Sequence, residues 1–466
     1  MICLNLWNHK GLFNLQRLVF FHKTPALWNR SKNLALAPKL DTVSKLKQKL
    51  SETELSEEMK EFLKNDVYFQ MCQRICLEMG VKEFHIVHGF MKEEKRNWTV
   101  GSDRGWSQID QNTTYWTLTS PEELIGFMGS DIIFTRGNYP NLHNWLNKHS
   151  TELQRQFWLH YPATSLRYPH LLSFERSVMA DEINTSRVQN LVAGLNIEHQ
   201  RKSTGETAST EIGELIQYFR TIREQHIGGP YSLVLSDGKT NVETLKKVFP
   251  TSLIQTFTKP TVWNTSTNIH NRTYDLIFSG TTLQTTKNHQ CFVQLLKLID
   301  IYADFNLKIA IVGNEEDSPI FKSLFNYPFS NITLFDQGEV SREQLQRLFS
   351  ESKTSIVTSG RDANPRVIQE SLVHGARVLA VDTLSDGLEF LSSNPLLGTV
   401  LKSEPEFWKY ARNGNLEFKP TMQMASQIVE EIKKSDYPDL VSKVSRKKLS
   451  IDESVKDLLK TIQSFR

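Results

Sequence analysis

The stretch TSIVTSGRDANPRVIQESLVHGARVLAVD, residues 354–382, decides the fold class. An apolar, β-branched run (354–359) is followed by a polar loop, by a helical segment that begins at Pro365, and by a second apolar run (376–382). Runs that are apolar throughout, rather than at every second residue, are typical of parallel strands that helices cover on both faces. The stretch therefore predicts a strand–helix–strand unit of an α/β fold.

The same alternation extends over the C-terminal half of the chain. Further apolar runs alternate with helical segments. One of these segments begins at Ser341 and has Gln344 three residues later, which is the pattern of a capping box. The additional runs are DLIFSG (275–280), LKIAIVG (307–313) and NITLF (331–335). We therefore predict a doubly wound α/β domain over 261–415, followed by C-terminal helices over 416–466.

The N-terminal half gives weaker signals of the same architecture. Apolar residues recur near helical spacing over 41–80, EFHIVHG (83–89) is a predicted strand, and the Trp- and Thr-rich segment 91–128 is interpreted as irregular. We predict an N-terminal α/β domain over 41–260 with a helical start. Two such domains are expected to face each other across a cleft, with ligands at the carboxyl ends of their parallel strands.

The first 40 residues are basic, because Lys and Arg recur in them and no acid precedes Asp41. The predicted tail 1–40 is an organelle transit peptide, an amphipathic stretch in peripheral contact with a membrane, or a segment with neither role. Its apolar run LVFF is too short for a secretory signal, and no run in the chain approaches the roughly 18 residues that span a bilayer. A cytoplasmic or peripherally membrane-bound protein is expected.

Composition excludes several classes of protein. The 466 residues are 39% hydrophobic and 23% charged, as in a soluble globular protein of two or three domains. The 55 Lys and Arg nearly balance 52 Asp and Glu, so no global basic field favours a nucleic-acid partner. Four cysteines are too few for a disulfide scaffold, and Cys72 and Cys76 lie at the spacing of core thiols on one helix face.

The segment SGTTLQTTKNH (279–289) joins a predicted strand to a predicted helix. Gly280 ends the strand, and Lys287 stands where the helix begins. Turn amides, a lysine and the positive end of a helix together hold a phosphate well. The alternative is an exposed lysine at a helix end, since the glycine patterns of dinucleotide-binding and P-loop proteins are absent.

The second polar segment contains Asp362 in the loop after a strand and Glu370 inside the following helix. Carboxylates accept hydrogen bonds from vicinal hydroxyl groups, such as those of a sugar or a ribose. In the alternative interpretation Asp362 caps the helix, and Glu370 pairs with Arg366 four residues earlier. The residues alone leave both interpretations open.

In order and spacing, these motifs resemble the donor domain of GT-B glycosyltransferases, particularly the retaining family 4 (group 1) enzymes. The resemblance covers only the C-terminal half. The matching elements are Phe278-Ser-Gly280, Lys287-Asn288, the strand ending at Gly313, Gly338-Glu-Val-Ser341, Ser359-x-x-Asp362-x7-Glu370 and Gly375-Ala-Arg-Val378.

The resemblance implies a metal-independent, retaining transfer of a sugar from a nucleotide-sugar co-substrate, with no cofactor, to a glycan, lipid or small-molecule acceptor. Glu370 would hold the ribose hydroxyls, Asp362 would approach the transferred sugar, and Lys287 would neutralise the diphosphate. The implied donor-binding residues are Gly280, Lys287, Ser359, Arg361, Asn364 and Arg366.

The resemblance also implies a histidine near the donor, at the end of a strand in the N-terminal domain. His160 in FWLHYPA is the predicted catalytic histidine, and His88 in IVHGF is a second candidate. For each, the alternative is a hydrogen-bonded histidine of the fold. Arg136 and Arg167 are further candidates for the cleft.

Three departures bear on activity. Thr281 and Thr282 stand where the family has an arginine, Asp362 is one methylene shorter than glutamate, and Arg377 stands where proline is common. We expect Arg361, or a residue of the N-terminal half, to compensate for the missing arginine. The alternatives are a catalytically degenerate GT-B protein that binds a sugar or nucleotide or acts as a scaffold, and a GT-B enzyme of other chemistry, such as a nucleotide-sugar epimerase.

Overall fold

A computed structural model of the chain describes residues 15–23, 42–89, 104–137, 140–162 except 152 and 154, 229–263, 272–280, 287–313, 319–359, 365–384, 387–404, 409–410, 416–417, 419–434 and 436–465. The strands of this part are β1 (Arg17–Lys23), β2 (Glu83–Gly89), β3 (Gly105–Gln108), β4 (Thr113–Leu118), β5 (Ile132–Arg136), β6 (Phe157–Tyr161), β7 (Leu233–Ser236), β8 (Leu253–Thr256), β9 (Tyr274–Ser279), β10 (Leu307–Val312), β11 (Ile332–Asp336), β12 (Ser352–Val357), β13 (Arg377–Val381), β14 (Gly398–Leu401), β15 (Lys409–Tyr410) and β16 (Leu416–Glu417).

Helices fill most of the connections between these strands. They are α1 (Thr42–Lys49), α2 (Glu57–Asn65), α3 (Val67–Met79), α4 (Pro121–Ile125), α5 (Pro140–Lys148), α6 (Lys239–Val248), α7 (His289–Tyr302), α8 (Pro319–Phe325), α9 (Arg342–Ser350), α10 (Arg366–Val373), α11 (Glu389–Ser392), α12 (Met422–Lys433), α13 (Pro438–Leu449) and α14 (Ile451–Ser464). None of those helices combines the length and the apolar composition that crossing a bilayer requires.

The chain folds as two compact units. The described residues up to 162, together with 229–260 and 450–465, form the first unit, and those of 261–449 form the second. Each unit contains one large, mainly parallel sheet with a hydrophobic core on both of its faces. The predicted fold class, α/β with two doubly wound sheets, is confirmed.

The sheet of the first unit has the strand order β3-β4-β2-β1-β5-β6-β7-β8. All neighbouring strands run parallel except β3 and β4, which are antiparallel. Strand β1 therefore lies in the middle of the sheet, between β2 and β5. The prediction of a basic tail over 1–40 is wrong for residues 17–23.

The side chains of β1 explain why it is a strand. Val19 and Phe21 belong to the core on one face, whereas Phe20 stacks on Phe134 at a centroid distance of 4.9 Å on the other. A strand buried on both faces needs an unbroken apolar run, which LVFF supplies. At its start Arg17 pairs with Glu83 on β2, with 2.8 Å between the charged groups.

The segment interpreted as irregular, 91–128, contains the antiparallel pair β3 and β4. All six residues of β4 are buried, and its Trp116 donates its indole N–H to His85 at 3.1 Å. The β-branched and aromatic residues of TTYWTL favour a strand, but the tight turn before it has no Gly or Pro to mark it. The prediction was wrong because one edge strand is only four residues long.

The sheet of the second unit has the order β11-β10-β9-β12-β13-β14, and all of its neighbouring strands are parallel. Each of the five strands predicted in this half is present, with bounds within two residues of the prediction. The predicted capping box is also present: Ser341 accepts from the amide of Gln344, whose side chain accepts from the amide of Ser341. Helix α9 therefore begins where the sequence predicts.

The predicted C-terminal helices of 416–466 include α12, α13 and α14, and the last of these, α14, belongs to the first unit. It packs against α3, burying Val455, Leu458 and Ile462. The contact is reinforced by an ion pair between Arg74 and Asp452, 3.1 Å apart. The sequence pattern shows that α14 has an apolar face, but it does not show which element this face packs against.

A buried ion pair links the end of β1 to the start of α3. His22 Nε2 lies 3.7 Å from Asp66, which also caps α3 by accepting from the amides of Tyr68 and Phe69 at 2.9 Å. Burial raises the pKa of Asp66, but the hydrogen bond and charge of His22, the Phe69 amide and the charge of Arg136 outweigh it and lower the pKa to about 2.

We expect Asp66→Asn, which retains a capping oxygen, to lower the free energy of unfolding at pH 5 by on the order of 2 kcal/mol. The folded pKa of Asp66 is below its ordinary value, so its stabilising effect is present above pH 4 and is lost as the pH falls towards 2. Urea midpoints of both proteins at pH 5, 4, 3 and 2.5 should therefore converge. A gap that is constant over this range would contradict the role of the charge.

Candidate functional site

The connections of the second sheet identify one position for a ligand. From β9 the chain continues outward through β10 and β11, and then returns to the other side of β9 to build β12, β13 and β14. The order of the strands therefore reverses between β9 and β12. Ligands of open parallel sheets bind at the carboxyl ends of the strands at such a switch point.

Gly280 and Lys287 meet at the end of β9. The amide of Gly280 donates to the carbonyl of Val312 on β10 at 3.1 Å, and a Cβ on Gly280 would lie 3.1 Å from Cγ of Lys287. The carbonyl of Lys287 accepts a hydrogen bond from Oγ1 of Thr358, which follows β12, at 2.8 Å. The structure thus joins the start of the α7 segment to the end of β12 across the switch point.

His289 contacts the end of β9 and was missed by sequence reasoning. Its Nε2 lies 3.0 Å from the carbonyl of Gly280, to which the ring N–H donates. Burial lowers the pKa of His289, and the positive charge of Lys287 lowers it further. The imidazole is therefore neutral at pH 7, and its hydrogen bond connects the start of α7 to the end of β9. Asn288, the residue before it, has a left-handed φ of 53°. Its place directly after Lys287 and Asn288 was the only signal in the sequence.

Ser359 lies at the end of β12 and is buried, with its carbonyl accepting from Oγ1 of Thr383 at 3.0 Å. Helix α10 begins after Pro365. Between them, residues 360–364 lie outside the described residues, and with them Arg361, Asp362 and Asn364. The roles predicted for those three side chains stay predictions.

Glu370 lies on α10 with 13% of its side chain exposed, and Nη2 of Arg342 is 3.8 Å from its Oε1. Arg342 is the first residue of α9, near the Gly338 turn whose carbonyl accepts from the amide of Gly313 at 2.8 Å. The alternative pairing with Arg366 is not formed in the described part of the chain, where Arg366 is exposed. Glu370 thus faces the turn after β11, at the carboxyl edge of the sheet.

Arg377 has a structural role in the second unit. It lies at the amino end of β13, and its Nη2 is 2.8 Å from a carboxylate oxygen of Glu431. Its guanidinium also donates to the carbonyls of Pro395 and Leu396, both at 3.3 Å. Arg377 therefore does not replace the arginine that is absent from the turn after Gly280.

The predicted catalytic histidine, His160, requires a correction. It lies inside β6 rather than after it, is 0% exposed, and its ring stacks on Tyr231 at a centroid distance of 4.3 Å. Its Nδ1 is 2.7 Å from Oγ1 of Thr135, and burial lowers its pKa far below the ordinary value. A ring enclosed in this way has no surface to offer a substrate, so the geometry favours the alternative of a core histidine.

The other candidates of the first unit lie in different places. His88 is half-buried near the end of β2, where its Nδ1 is 2.8 Å from the hydroxyl of Tyr115. Arg136 is the last residue of β5. Arg167 lies outside the described residues. Among the residues that are described, no three His, Cys, Asp or Glu side chains converge as a metal site would need.

Comparisons with known proteins leave the family open. No family model matches the chain, and no curated protein does. Among solved structures it is similar to sucrose-phosphate synthase from Thermosynechococcus elongatus, with 11% identity, 96% of this chain and 98% of that chain covered, and a TM-score of 0.49. It is similar to a glycosyltransferase from Rickettsia africae ESF-5, with 10% identity, 97% and 99% covered, and a TM-score of 0.47.

A third similar structure is the pneumococcal O-GlcNAc transferase GtfA in complex with UDP and GlcNAc, with 13% identity, 53% of this chain and 47% of that chain covered, and a TM-score of 0.38. The chain spans about half the length of the GtfA proteins that it matches. With identities of 8–13% and TM-scores below 0.5, the reaction and its substrates have to be inferred from the residues themselves.

Proposed function

We propose that this protein is a glycosyltransferase that moves a sugar from a nucleotide-sugar donor to an acceptor hydroxyl. The observation that carries the proposal is the convergence of Gly280, Lys287 and Ser359 at the switch point of the second sheet, with Glu370 at the same edge. These residues occupy the order in which the donor domains of GT-B glycosyltransferases carry their binding motifs.

The chemistry of each group suits a nucleotide diphosphate. The side chain of Lys287 packs against Gly280, where a larger residue would meet it, and a lysine beside a helix start neutralises phosphate oxygens. The carboxylate of Glu370 accepts hydrogen bonds from the two vicinal hydroxyls of a ribose. Asp362 would act in the same way on the transferred sugar, and Arg361, Asn364 and Arg366 would supply further donors.

In the proposed reaction the bond between the anomeric carbon and the diphosphate oxygen breaks. The acceptor oxygen forms its bond to the same carbon on the same face, which retains the configuration, and the acceptor proton passes to the departing diphosphate oxygen. The contribution of the protein is to position the two substrates and to stabilise the negative charge that develops on the diphosphate. Lys287 and the loop amides do this without a metal ion.

One observation favours a second candidate function, a cleft protein that binds a sugar or nucleotide without turnover. The carboxylate of Glu370 is already engaged by Arg342, and threonines stand at the family's turn arginine. A donor would have to displace Arg342 to reach Glu370. Binding without transfer is the result that such a protein would give.

The experiment is a thermal-stability titration of the full chain with a panel of nucleotide sugars and free nucleotides, with EDTA or with Mg²⁺. A ligand at 100 times its Kd should add about 2.7 kcal/mol of stability. We expect one donor to shift the transition equally in EDTA and Mg²⁺, and Glu370→Gln to abolish that shift. The matched control is Glu343→Gln, an exposed glutamate on α9, which should leave the shift unchanged.

The titration and a turnover assay separate the candidates. Slow release of sugar from the bound donor, or transfer to any acceptor, supports the enzyme. Binding that Glu370→Gln abolishes, with no release and no transfer, supports the binding protein. No shift with any nucleotide or nucleotide sugar would overturn both the glycosyltransferase and the nucleotide-binding protein.

A further inference from the structure

Two buried threonines of the second unit donate hydrogen bonds to carbonyl oxygens of candidate site residues. Oγ1 of Thr358 donates to the carbonyl of Lys287 at 2.8 Å, and Oγ1 of Thr383 donates to the carbonyl of Ser359 at 3.0 Å. Thr358 directly follows β12, Thr383 lies two residues after β13, and the two side chains are only 1% and 2% exposed. Both hydroxyls therefore act from the interior, at the carboxyl edge of the sheet.

A third contact of the same kind is the hydrogen bond of His289, whose ring N–H donates to the carbonyl of Gly280 at 3.0 Å. His289 is also buried. The three hydrogen bonds together reach the carbonyls of Gly280, Lys287 and Ser359, which are the three residues that converge at the switch point. The backbone at the proposed ligand position is thus held by side chains at each of these residues.

These hydrogen bonds join different elements of the second unit. The partners lie 71, 24 and 9 residues apart in the sequence. A threonine hydroxyl that only satisfies itself usually bonds to a backbone group within about four residues. The hydroxyl of Thr358 instead fixes the end of β12 against the residue that precedes α7, and that of Thr383 fixes the chain after β13 against the end of β12.

The direction of these carbonyls matters for a phosphate ligand. A carbonyl oxygen carries a partial negative charge and repels a phosphate oxygen, as any two like charges repel. The carbonyls of Lys287 and Ser359 are directed at buried hydroxyls and therefore towards the interior of the unit. The positive charge of Lys287 is then not opposed at the ligand position by the carbonyl of the same residue.

We propose that Thr358 and Thr383 are positioning residues for a diphosphate group that binds at Lys287. Their hydroxyls hold the carbonyls of Lys287 and Ser359 away from the ligand, and Thr358 in addition fixes the backbone that carries the ammonium group. The assignment of this diphosphate to a nucleotide sugar rests on the proposed function. The positioning of the lysine itself is tested without a sugar or a nucleotide.

The test measures binding of inorganic pyrophosphate to the full chain by calorimetry, in EDTA and at constant ionic strength set with NaCl. We expect saturable binding that Lys287→Gln weakens. Thr358→Val keeps the shape of the side chain without the hydroxyl and should weaken binding by about tenfold or more, which corresponds to about 1.4 kcal/mol. Thr383→Val should also weaken binding. Thr358→Ser keeps the hydroxyl and should bind nearly as well as the wild type.

The matched control is Thr354→Val, on the same strand as the end that Thr358 follows. Thr354 is 2% exposed, and its Oγ1 donates to the carbonyl of Asp275 on β9 at 2.6 Å, towards the amino edge of the sheet. We expect this variant to lower the melting temperature about as much as Thr358→Val does and to bind pyrophosphate like the wild type. Equal weakening of binding by the two variants would overturn the inference, because it would show a general loosening of the sheet.

The outcomes separate this inference from the proposed function. If pyrophosphate binds as expected but no nucleotide sugar binds, the proposed function fails and the positioning role stands. If Thr358→Val binds and turns over a nucleotide sugar like the wild type, the proposed function stands and the inference is overturned. The inference is also overturned if the wild type does not bind pyrophosphate, or if Lys287→Gln leaves binding unchanged, since the ion then lies elsewhere.

Discussion

Replacing Arg272 by alanine is expected to lower the free energy of unfolding of the second unit by about 3–5 kcal/mol. Arg272 precedes β9, and only 9% of its side chain is exposed. Its guanidinium donates to the carbonyls of Ser350, Ser352 and Gly375 at 2.8, 2.7 and 2.7 Å, and to the carboxylate of Asp436 at 2.8 Å. It thereby ties together the amino ends of three neighbouring strands.

The expected effect is large because the substitution leaves three carbonyls and a carboxylate without their donor. Burial already raises the pKa of Asp436, so the loss of the positive charge would make its ionised form costlier still. For a unit of this size the melting temperature should fall by roughly 6–20 °C, measured by calorimetry.

The matched control for Arg272 is Arg347→Ala. The side chain of Arg347 is 75% exposed and pairs with Glu351 four residues along the same helix, and surface pairs of that kind contribute little. Its melting temperature should change by about 2 °C or less. Equal effects of the two substitutions would show that the buried network does not hold the strands.

The second large effect is expected from Gly398→Ala. Gly398 opens the edge strand β14 with a φ of 153°, and a Cβ built on it would lie 1.9 Å from the carbonyl oxygen of Val378. The obstacle is the backbone of β13, which cannot rotate away as a side chain can. We expect Gly398→Ala to lower the free energy of unfolding by on the order of 4 kcal/mol or more, because β14 can no longer pair closely with β13.

Hydrogen exchange and calorimetry together test this prediction. The amides of β13 and β14 should exchange faster in Gly398→Ala, and the melting temperature should fall. Gly338→Ala is the control, since its φ of 60° is also left-handed but nothing lies within 4 Å of its added Cβ. Gly338→Ala should lower the free energy of unfolding by about 1–2 kcal/mol. Unchanged protection of β14 would contradict the predicted clash.

The second unit could be predicted from the sequence because its strands lie inside a parallel sheet. Burial on both faces demands unbroken apolar runs, and Pro365 and the Ser341 capping box mark helix starts directly. In the first unit the same rule did not identify β1 as a strand. The run LVFF of β1 lies among lysines and arginines, and a basic, acid-free context resembles a targeting segment more than a central strand.

The sequence predicted the positions of candidate site residues only for those that directly follow a strand. Gly280, Lys287 and Ser359 come together because the strands before them are neighbours. The pairing of Glu370 with Arg342 could not be predicted, because it depends on α9 and α10 packing side by side. The local rule favoured Arg366 instead, and tertiary packing replaced that weak helical pair.

The return of α14 to the first unit has a consequence for the order of folding. The described residues of the second unit all lie between 261 and 449, whereas the first unit is assembled from both ends of the chain. During synthesis the face of α3 that α14 later covers stays exposed while the intervening segment 261–449 is translated. This takes roughly 10–40 s at the usual rates of elongation. A nascent chain therefore completes its later unit before its earlier one, and a fragment that ends at residue 260 lacks part of its own core.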